Sequence, residues 1–549
     1  MSEPGQSGQA EGDQQRDVTQ IEPPPRTSLG ILSRLGPGLI IAASIVGSGE
    51  LIATTKTGAL AGFWLLWLIV IGCVIKVFVQ VEFGRYAISS GKATMAALDE
   101  VPGPRLNRTN WVLWYWLVMF VVSLAQLGGI VGGVGQSLAI SRPITGDFQE
   151  LLDRQNEWDD AAARQLRQLP DAQAERLRSR DPEVRAAARQ EVRGQLQQQI
   201  GFQRPSLQES PTWDDILWAV LVTLLTVVLL LVDRYALVQN VSTVLLAAFT
   251  AVTIFCVFAL QQTEYAIDWG DLGRGLSFRL PGWDDVTRSL LGIVKGERLS
   301  PLAAALAAFG IIGVGATEVI AYPYWCLEKG YARFTGPRDQ TPEWAERASG
   351  WMRVMRWDAG LSMVIYTFAT VAFFILGAAV LHRDGLDPEG NQMVHALSQP
   401  YVRVFGDWAH WVFLFGAIAV LYSTFFVAIA GHALVATAAV RVFRAGARTE
   451  RARRWWIRAF CVLFPLVALG FCIFIRRPVL LVLASGVMQA IMLPMLAAAA
   501  IYFRYFGCDR RILPGRLWDL LLWISGLGLL VAGAWSAYSA LTSLARTFG

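Results

Sequence analysis

The chain alternates between long apolar runs and short polar connections. Apolar segments fall at approximately 35–57, 62–83, 111–134, 214–232, 241–261, 301–326, 358–380, 409–434, 457–475, 479–503 and 518–541. Each is close to the ~20 residues that cross about 30 Å of hydrocarbon as a helix, so each predicts a membrane span. Trp and Tyr gather near several ends, as at Trp64, Trp67 and the stretch from Trp111 to Trp116, where rings with a polar edge suit the lipid–water boundary. The pattern predicts an all-α integral membrane protein with eleven transmembrane helices. Spans 1–3 lie in residues 31–140, spans 4 and 5 in 213–262, an outer loop in 263–299, spans 6–10 in 300–508, and span 11 with the C-terminus in 509–549.

Two polar stretches stand apart from this rhythm. Residues 1–30 contain a proline run and lack the apolar core of a signal peptide, which predicts a disordered cytoplasmic tail. Residues 141–212 are rich in Gln, Ala, Arg, Asp and Glu, with Leu166, Leu169 and Leu177 at helical intervals. They read as a polar helical insertion outside the cell, either a cap that binds a partner or, closer to the composition, a solvated appendage with no direct part in transport. Lys and Arg then set the orientation. Arg85, Lys92, Arg105, Arg108 and the dense stretches 333–356, 441–458 and 504–516 fall on one side if the N-terminus is cytoplasmic and the C-terminus extracytoplasmic. A multi-pass protein of the cell membrane follows.

Composition narrows the class further. Hydrophobic residues make up 54% of the chain and charged residues 17%, against roughly a quarter charged in soluble proteins. A soluble multidomain enzyme and a disordered chain are both excluded. The net charge of +5 is small for 549 residues, so no nucleic-acid partner is indicated. The six cysteines sit mostly inside apolar runs with no C-x-x-C pair, which argues against a zinc or disulfide framework. Walker A, nucleophile-elbow and H-E-x-x-H patterns are absent, so neither ATP drive, hydrolytic chemistry nor a cofactor is expected.

An internal repeat carries the candidate chemistry. Val46-Gly47-Ser48-Gly49-Glu50-Leu51-Ile52-Ala53 in span 1 matches Val314-Gly315-Ala316-Thr317-Glu318-Val319-Ile320-Ala321 in span 6 at five of eight positions. The copies lie five spans apart, and an odd offset makes them enter the membrane from opposite faces, as in inverted-repeat transporters with glycine-interrupted helices near the midplane. Gly47, Gly49, Gly313 and Gly315 are expected to open both helices and free carbonyls for an ion, water or protein partner. Glu50 and Glu318 would each begin a second half-helix, where the positive dipole end favours a carboxylate. An acid at the membrane centre costs roughly 2.5–3.5 kcal/mol to insert, which makes it a functional candidate. Against this stands plain helix packing by glycine, with a glutamate satisfied by Lys56, Lys76 or a hydroxyl.

At these residues the chain resembles the natural resistance-associated macrophage protein (NRAMP) family of metal-ion transporters. Leu35-Gly36-Pro37-Gly38 is similar to that family's start of span 1, the run from Gln80 through Arg85 to Lys92 to its span 2 exit, Gly310 to Thr317 to its span 6, and Ser485 with Leu493-Pro494 to its span 10. The resemblance implies a LeuT-like fold, with spans 1–5 and 6–10 as inverted repeats plus an eleventh helix. It also shows departures. The family's Asp-Pro-Gly-Asn falls on Gly47-Ser48-Gly49-Glu50, and its Met-Pro-His on Val319-Ile320-Ala321. The span 10 glutamine falls on Met492, with Gln489 nearly a turn earlier, and the acidic span 3 positions fall on Gln126 and Gly129.

Loss of thioether and imidazole with gain of two carboxylates points to all-oxygen coordination of Mg²⁺, Ca²⁺ or Mn²⁺. The expected ligand set is Glu50 and Glu318 with the carbonyls of Gly47 and Gly315 and a third wall at Gln489 or Met492. The two carboxyls would alternatively share a proton as a coupling pair. Gln126, Lys76, His432 and Thr317 are candidates for coupling or gating, although a lone helix histidine such as His432 more often only packs. Lys76, Gln80, Glu82 and Arg85 form either a gate network or, more simply, an ion pair near the interface, and Asp358 suits the N-terminus of span 7. The expectation is a secondary transporter of a divalent metal cation working by alternating access, with altered selectivity and no strict proton coupling. The alternative is a cation-coupled carrier of a small organic solute on the same fold.

Overall fold

The computed structural model describes residues 21–205, 211–232, 235–282, 290–295, 300–444, 446 and 449–548. Residues 1–20 of the expected tail lie outside the described residues. The remainder of that tail is held in place rather than loose. Glu22 N donates to the Phe334 carbonyl (3.2 Å), the Trp351 indole donates to the Glu22 carbonyl (3.1 Å), and the Glu22 carboxylate pairs with Arg34 at 2.8 Å.

Among the described residues, nine helical stretches are long and apolar enough to cross a membrane by length and composition. They accommodate the predicted spans without splitting one for one. The first two apolar segments run together as Gly49–Ser90 and turn at Gly62, where φ is +59° and a side chain would be strained. Predicted span 5 falls on the helix Tyr235–Ala259, and the shorter apolar stretch there, Ala247–Gln262, runs on through the turn that follows it. Predicted span 6 is two helices, Pro301–Ile311 and Ala316–Lys329, with a break between them. Span 10, Pro478–Tyr502, packs so closely on the first of these that a β-carbon at Gly310 would stand 2.7 Å from Ala490 N and nearer still to the Gly486 carbonyl. Small residues let the two backbones meet, which is how helices associate when lipid supplies no hydrophobic drive.

The first span does not break. Pro37–Ile45 is α-helical, and Val46–Thr54 continues it as a π-helix instead of unwinding at Gly47 and Gly49. The expectation of two broken helices is therefore met only in span 6. The π-turns are wider, and the Thr54 hydroxyl donates to the Gly49 carbonyl (2.9 Å), so that carbonyl is satisfied without a ligand.

Asp358 is also placed differently from its sequence reading. The helix that carries it starts at Pro342, capped by the Thr341 hydroxyl, which leaves Asp358 well inside Pro342–Leu376. Its carboxylate caps another helix. Gly36 N and Gly38 N, at the start of span 1, donate to it at 2.9 and 2.5 Å, and the Tyr322 hydroxyl joins at 3.2 Å. Asp358→Ala leaves these buried donors without an acceptor, and a loss of about 3 kcal/mol is expected, read as a lowered melting temperature of the purified protein. A melting temperature equal to that of the unaltered protein removes this role.

The polar insertion folds into the helices Asp147–Arg167, Asp171–Leu177 and Pro182–Ile200. Trp158, Leu166, Leu177, Val192 and Leu196 form a small apolar core of their own, closed by Ile293 and Val294 from the loop before span 6. Its end reaches the loop after span 7. Arg204 pairs with Asp159 (2.9 Å) and donates to Gln392 Oε1 (2.7 Å), whose amide donates to Asp159 Oδ2 (2.9 Å). That loop carries Asp387 and Glu389, which both pair with Lys56, a fully buried lysine in span 1.

Candidate functional site

The site grows out of the break in span 6. A helix that stops leaves its last carbonyls and the next helix's first N–H groups without partners. Ile312 and Gly315 are extended, and between them the chain bends at Gly313, whose φ of +56° favours glycine. Gly315 caps the second half-helix but has no side chain to do so, and the amide oxygen of Gln489 in span 10 takes that part by accepting from Thr317 N at 3.2 Å. On the other side, the ammonium of Lys76 in span 2 donates to the carbonyls of Phe309 and Ile312, the latter at 2.7 Å. Gly313 N donates to Glu50 Oε1 at 3.2 Å. Three side chains from three different spans thus close one break.

Glu50 is completely buried. The Thr370 hydroxyl stands 2.9 Å from Glu50 Oε1 and 2.6 Å from the Tyr366 carbonyl. It has a single proton and serves one of them at a time. Glu50 Oε2 has no hydrogen-bond partner among the described residues although it is shut off from solvent. An unpaired carboxylate oxygen inside a protein is costly, and a cation or a proton relieves the cost.

Glu318 lies on the far side of the break and is partly exposed. Its Oε2 accepts from the Thr317 hydroxyl (2.9 Å), and that hydroxyl is 3.0 Å from Gln489 Oε1. Gln489 Nε2 donates to Gln126 Oε1 (2.8 Å), which also accepts from the Ser485 hydroxyl (3.1 Å). The sequence candidates Glu318, Thr317, Gln489 and Gln126 therefore form one polar chain from span 6 through span 10 to span 3. Glu50 and Lys76 meet the same four-residue break from the side of spans 1 and 2.

Other candidates fall elsewhere. Met492 is buried in the apolar core, and Gln489 is the span 10 residue that reaches Thr317. Gly47 packs against span 8, where a β-carbon would lie 2.7 Å from Thr424 Cβ, and Gly129 packs against Pro478 and Val482 of span 10. His432 donates through Nδ1 to the Ala428 carbonyl (2.6 Å) and lies against Phe120. It does share a small cavity with Thr317, Trp116 and Ile320. The span 2 pair is structural: Glu82 holds Arg85 (3.1 Å) and the Trp518 indole (2.6 Å), and Arg85 donates to the Ile512 carbonyl (2.8 Å), which ties span 2 to span 11. Sequence reasoning missed Thr370 altogether. No group of three or more His, Cys, Asp or Glu side chains among the described residues is gathered for a metal, so any cation here would rely on carboxylates with amide, hydroxyl and carbonyl oxygens.

A membrane chain of packed helices, with a repeated Gly-x-x-Glu motif whose two copies meet at a broken span, is a protein of the LeuT-like inverted-repeat class. Residues 210–542 match the family described as natural resistance-associated macrophage protein-like, which is more than half of the chain, and the chain belongs to that family. It is 30% identical over 104 residues to the divalent metal cation transporter MntH of Caldanaerobacter subterraneus subsp. tengcongensis, covering 18% of this chain and 24% of that protein. It is 31% identical over 100 residues to MntH of Mycobacterium tuberculosis, covering 18% and 22%. The chain thus matches about a quarter of the length of these curated relatives. In fold it is similar to a mutant of the Eremococcus coleocola manganese transporter, with a TM-score of 0.56, 16% identity, and coverage of 98% of this chain and 92% of that one.

Proposed function

We propose that this protein moves a divalent metal cation across the cell membrane by alternating access around the break in span 6. In this reading eleven spans cross the bilayer, the N-terminus is cytoplasmic and the insertion lies outside. The observation that carries it is Glu50 Oε2, buried and unpartnered beside a helix break whose other rim holds Glu318, Thr317 and Gln489. Relatives named as divalent metal cation and manganese transporters agree with it. Oxygen donors alone favour hard ions, so selectivity shifts toward Mn²⁺, Mg²⁺ or Ca²⁺. A carrier of organic acids has less support. Of the N–H groups at the start of the second half-helix that would receive a substrate carboxylate, Thr317 N is already taken by the Gln489 amide oxygen.

Purified protein in liposomes is expected to show saturable uptake of at least one of these ions. No flux of any of them over a range of ion and voltage gradients sinks the proposal. Coupling is tested in the same vesicles. Gly47, Gln126 and Gly129 stand where the resembled family has acids, and none of them exchanges a proton through its side chain near neutral pH. An inward pH gradient at fixed voltage is therefore expected to change uptake only weakly, and uptake is not expected to acidify the vesicle interior. One proton entering with each ion would overturn that.

A further inference from the structure

The first half of span 6 ends in a cup of carbonyls that the helix itself does not use. Its last helical bond is Ile312 N to the Ala308 carbonyl (2.8 Å), and Gly313 N turns away to Glu50. The carbonyls of Phe309 and Ile312 are left at the negative end of a half-helix, in the middle of the protein. Such a cup is what broken helices offer to a mobile cation. Here Lys76 fills it. The ammonium donates to both carbonyls and lies 4.8 Å from the centre of the Phe309 ring, whose electron-rich face also favours a cation. The side chain is fully buried, and among the described residues no carboxylate comes within 4.0 Å of it. Its charge is met by the dipoles of these two carbonyls.

We infer that Lys76 is a tethered cation that occupies a monovalent-ion site at the end of the first half of span 6, so that no alkali ion binds there and the divalent substrate is carried without one. The fixed positive charge also offsets one of the two carboxylates at the break. A purely structural lysine would tie span 2 to span 6 and do nothing else. The two roles differ in what Lys76→Met should gain. If the ammonium stands in for an ion, its removal empties a carbonyl cup that Na⁺ or K⁺ can enter, and an ion that binds only the folded state stabilises it.

The inference rests on the break being a cation site, but its test reads thermal stability rather than transport, so the two can fail separately. Melting temperatures are compared in sodium, potassium and choline chloride at equal ionic strength of about 150 mM, high enough to screen surface charge equally in all three. The expected result is that Lys76→Met is stabilised by Na⁺ or K⁺ over choline by at least about 2 °C, while the unaltered protein responds equally to all three. A folded Lys76→Met that melts alike in every salt overturns the inference, as does an unaltered protein already stabilised by an alkali ion. Should Lys76→Met not survive extraction in choline chloride, recovery in sodium or potassium chloride supports it. Recovery in none, together with a Lys76→Gln variant indifferent to the salt, counts against it.

Discussion

Glu50→Gln should abolish cation transport while leaving folded yield nearly intact. Glutamine keeps the shape and keeps an oxygen for Gly313 N and the Thr370 hydroxyl, so the hydrogen bonds seen at Oε1 survive. What it removes is the charge at Oε2, the atom without a partner. Groups that only hold a metal's ligands in place typically cost about 10–100-fold when lost, so loss of a direct carboxylate ligand is expected to cost at least about 100-fold in uptake at low ion concentration. Liposome uptake normalised to the monodisperse protein recovered gives the answer. Uptake within about threefold of the unaltered protein would remove Glu50 from the ligand set, and a raised melting temperature in the variant would show that the buried charge had been a burden on the fold.

The second large effect concerns the residue that the resembled family places at the metal. Gly47 occupies the position of that family's aspartate, and restoring the acid looks like a simple repair. The packing forbids it. Any β-carbon at Gly47 stands 2.7 Å from Thr424 Cβ, closer still to the hydroxyl, and 3.1 Å from the Val420 carbonyl. Span 8 fills the room that an aspartate needs. Gly47→Asp is therefore expected to lose most of the folded protein, since overpacking of a tight interface typically costs about 1–3 kcal/mol and a buried carboxylate adds to it. The double variant with Thr424→Gly should recover a large part of the yield. A stable single variant would show that span 1 can shift away from span 8.

The spans were legible because an apolar run of fixed length has one solution in lipid, and the paired glutamates because a repeat of five matches in eight is visible in one sequence. The break in span 6 followed from Gly313 and Gly315. Its counterpart in span 1 did not, because glycine permits both a break and a widened π-turn. The choice falls to contacts with Ile311 and Thr424 that no local pattern reveals. Lys76 was visible as a buried charge near the acids, but its partners lie 233 and 236 residues away and are main-chain atoms that any residue would supply. Thr370 looks like any other threonine in a span. The start of the span 7 helix was readable: Thr341-Pro342-Glu343 is a cap, a first-turn proline and a first-turn acid, and it places Asp358 in the helix interior rather than at the end.

Asp358 has a mechanical consequence. One carboxylate in span 7 binds two main-chain N–H groups of span 1 and the hydroxyl of Tyr322 on the second half of span 6. Three helices are bolted at a single point on the face where span 1 begins. No one of them can tilt there while the other two stay put without parting from that carboxylate. Under the proposed alternating access, opening on this face would be a single event with a threshold at the bolt rather than a continuous slide.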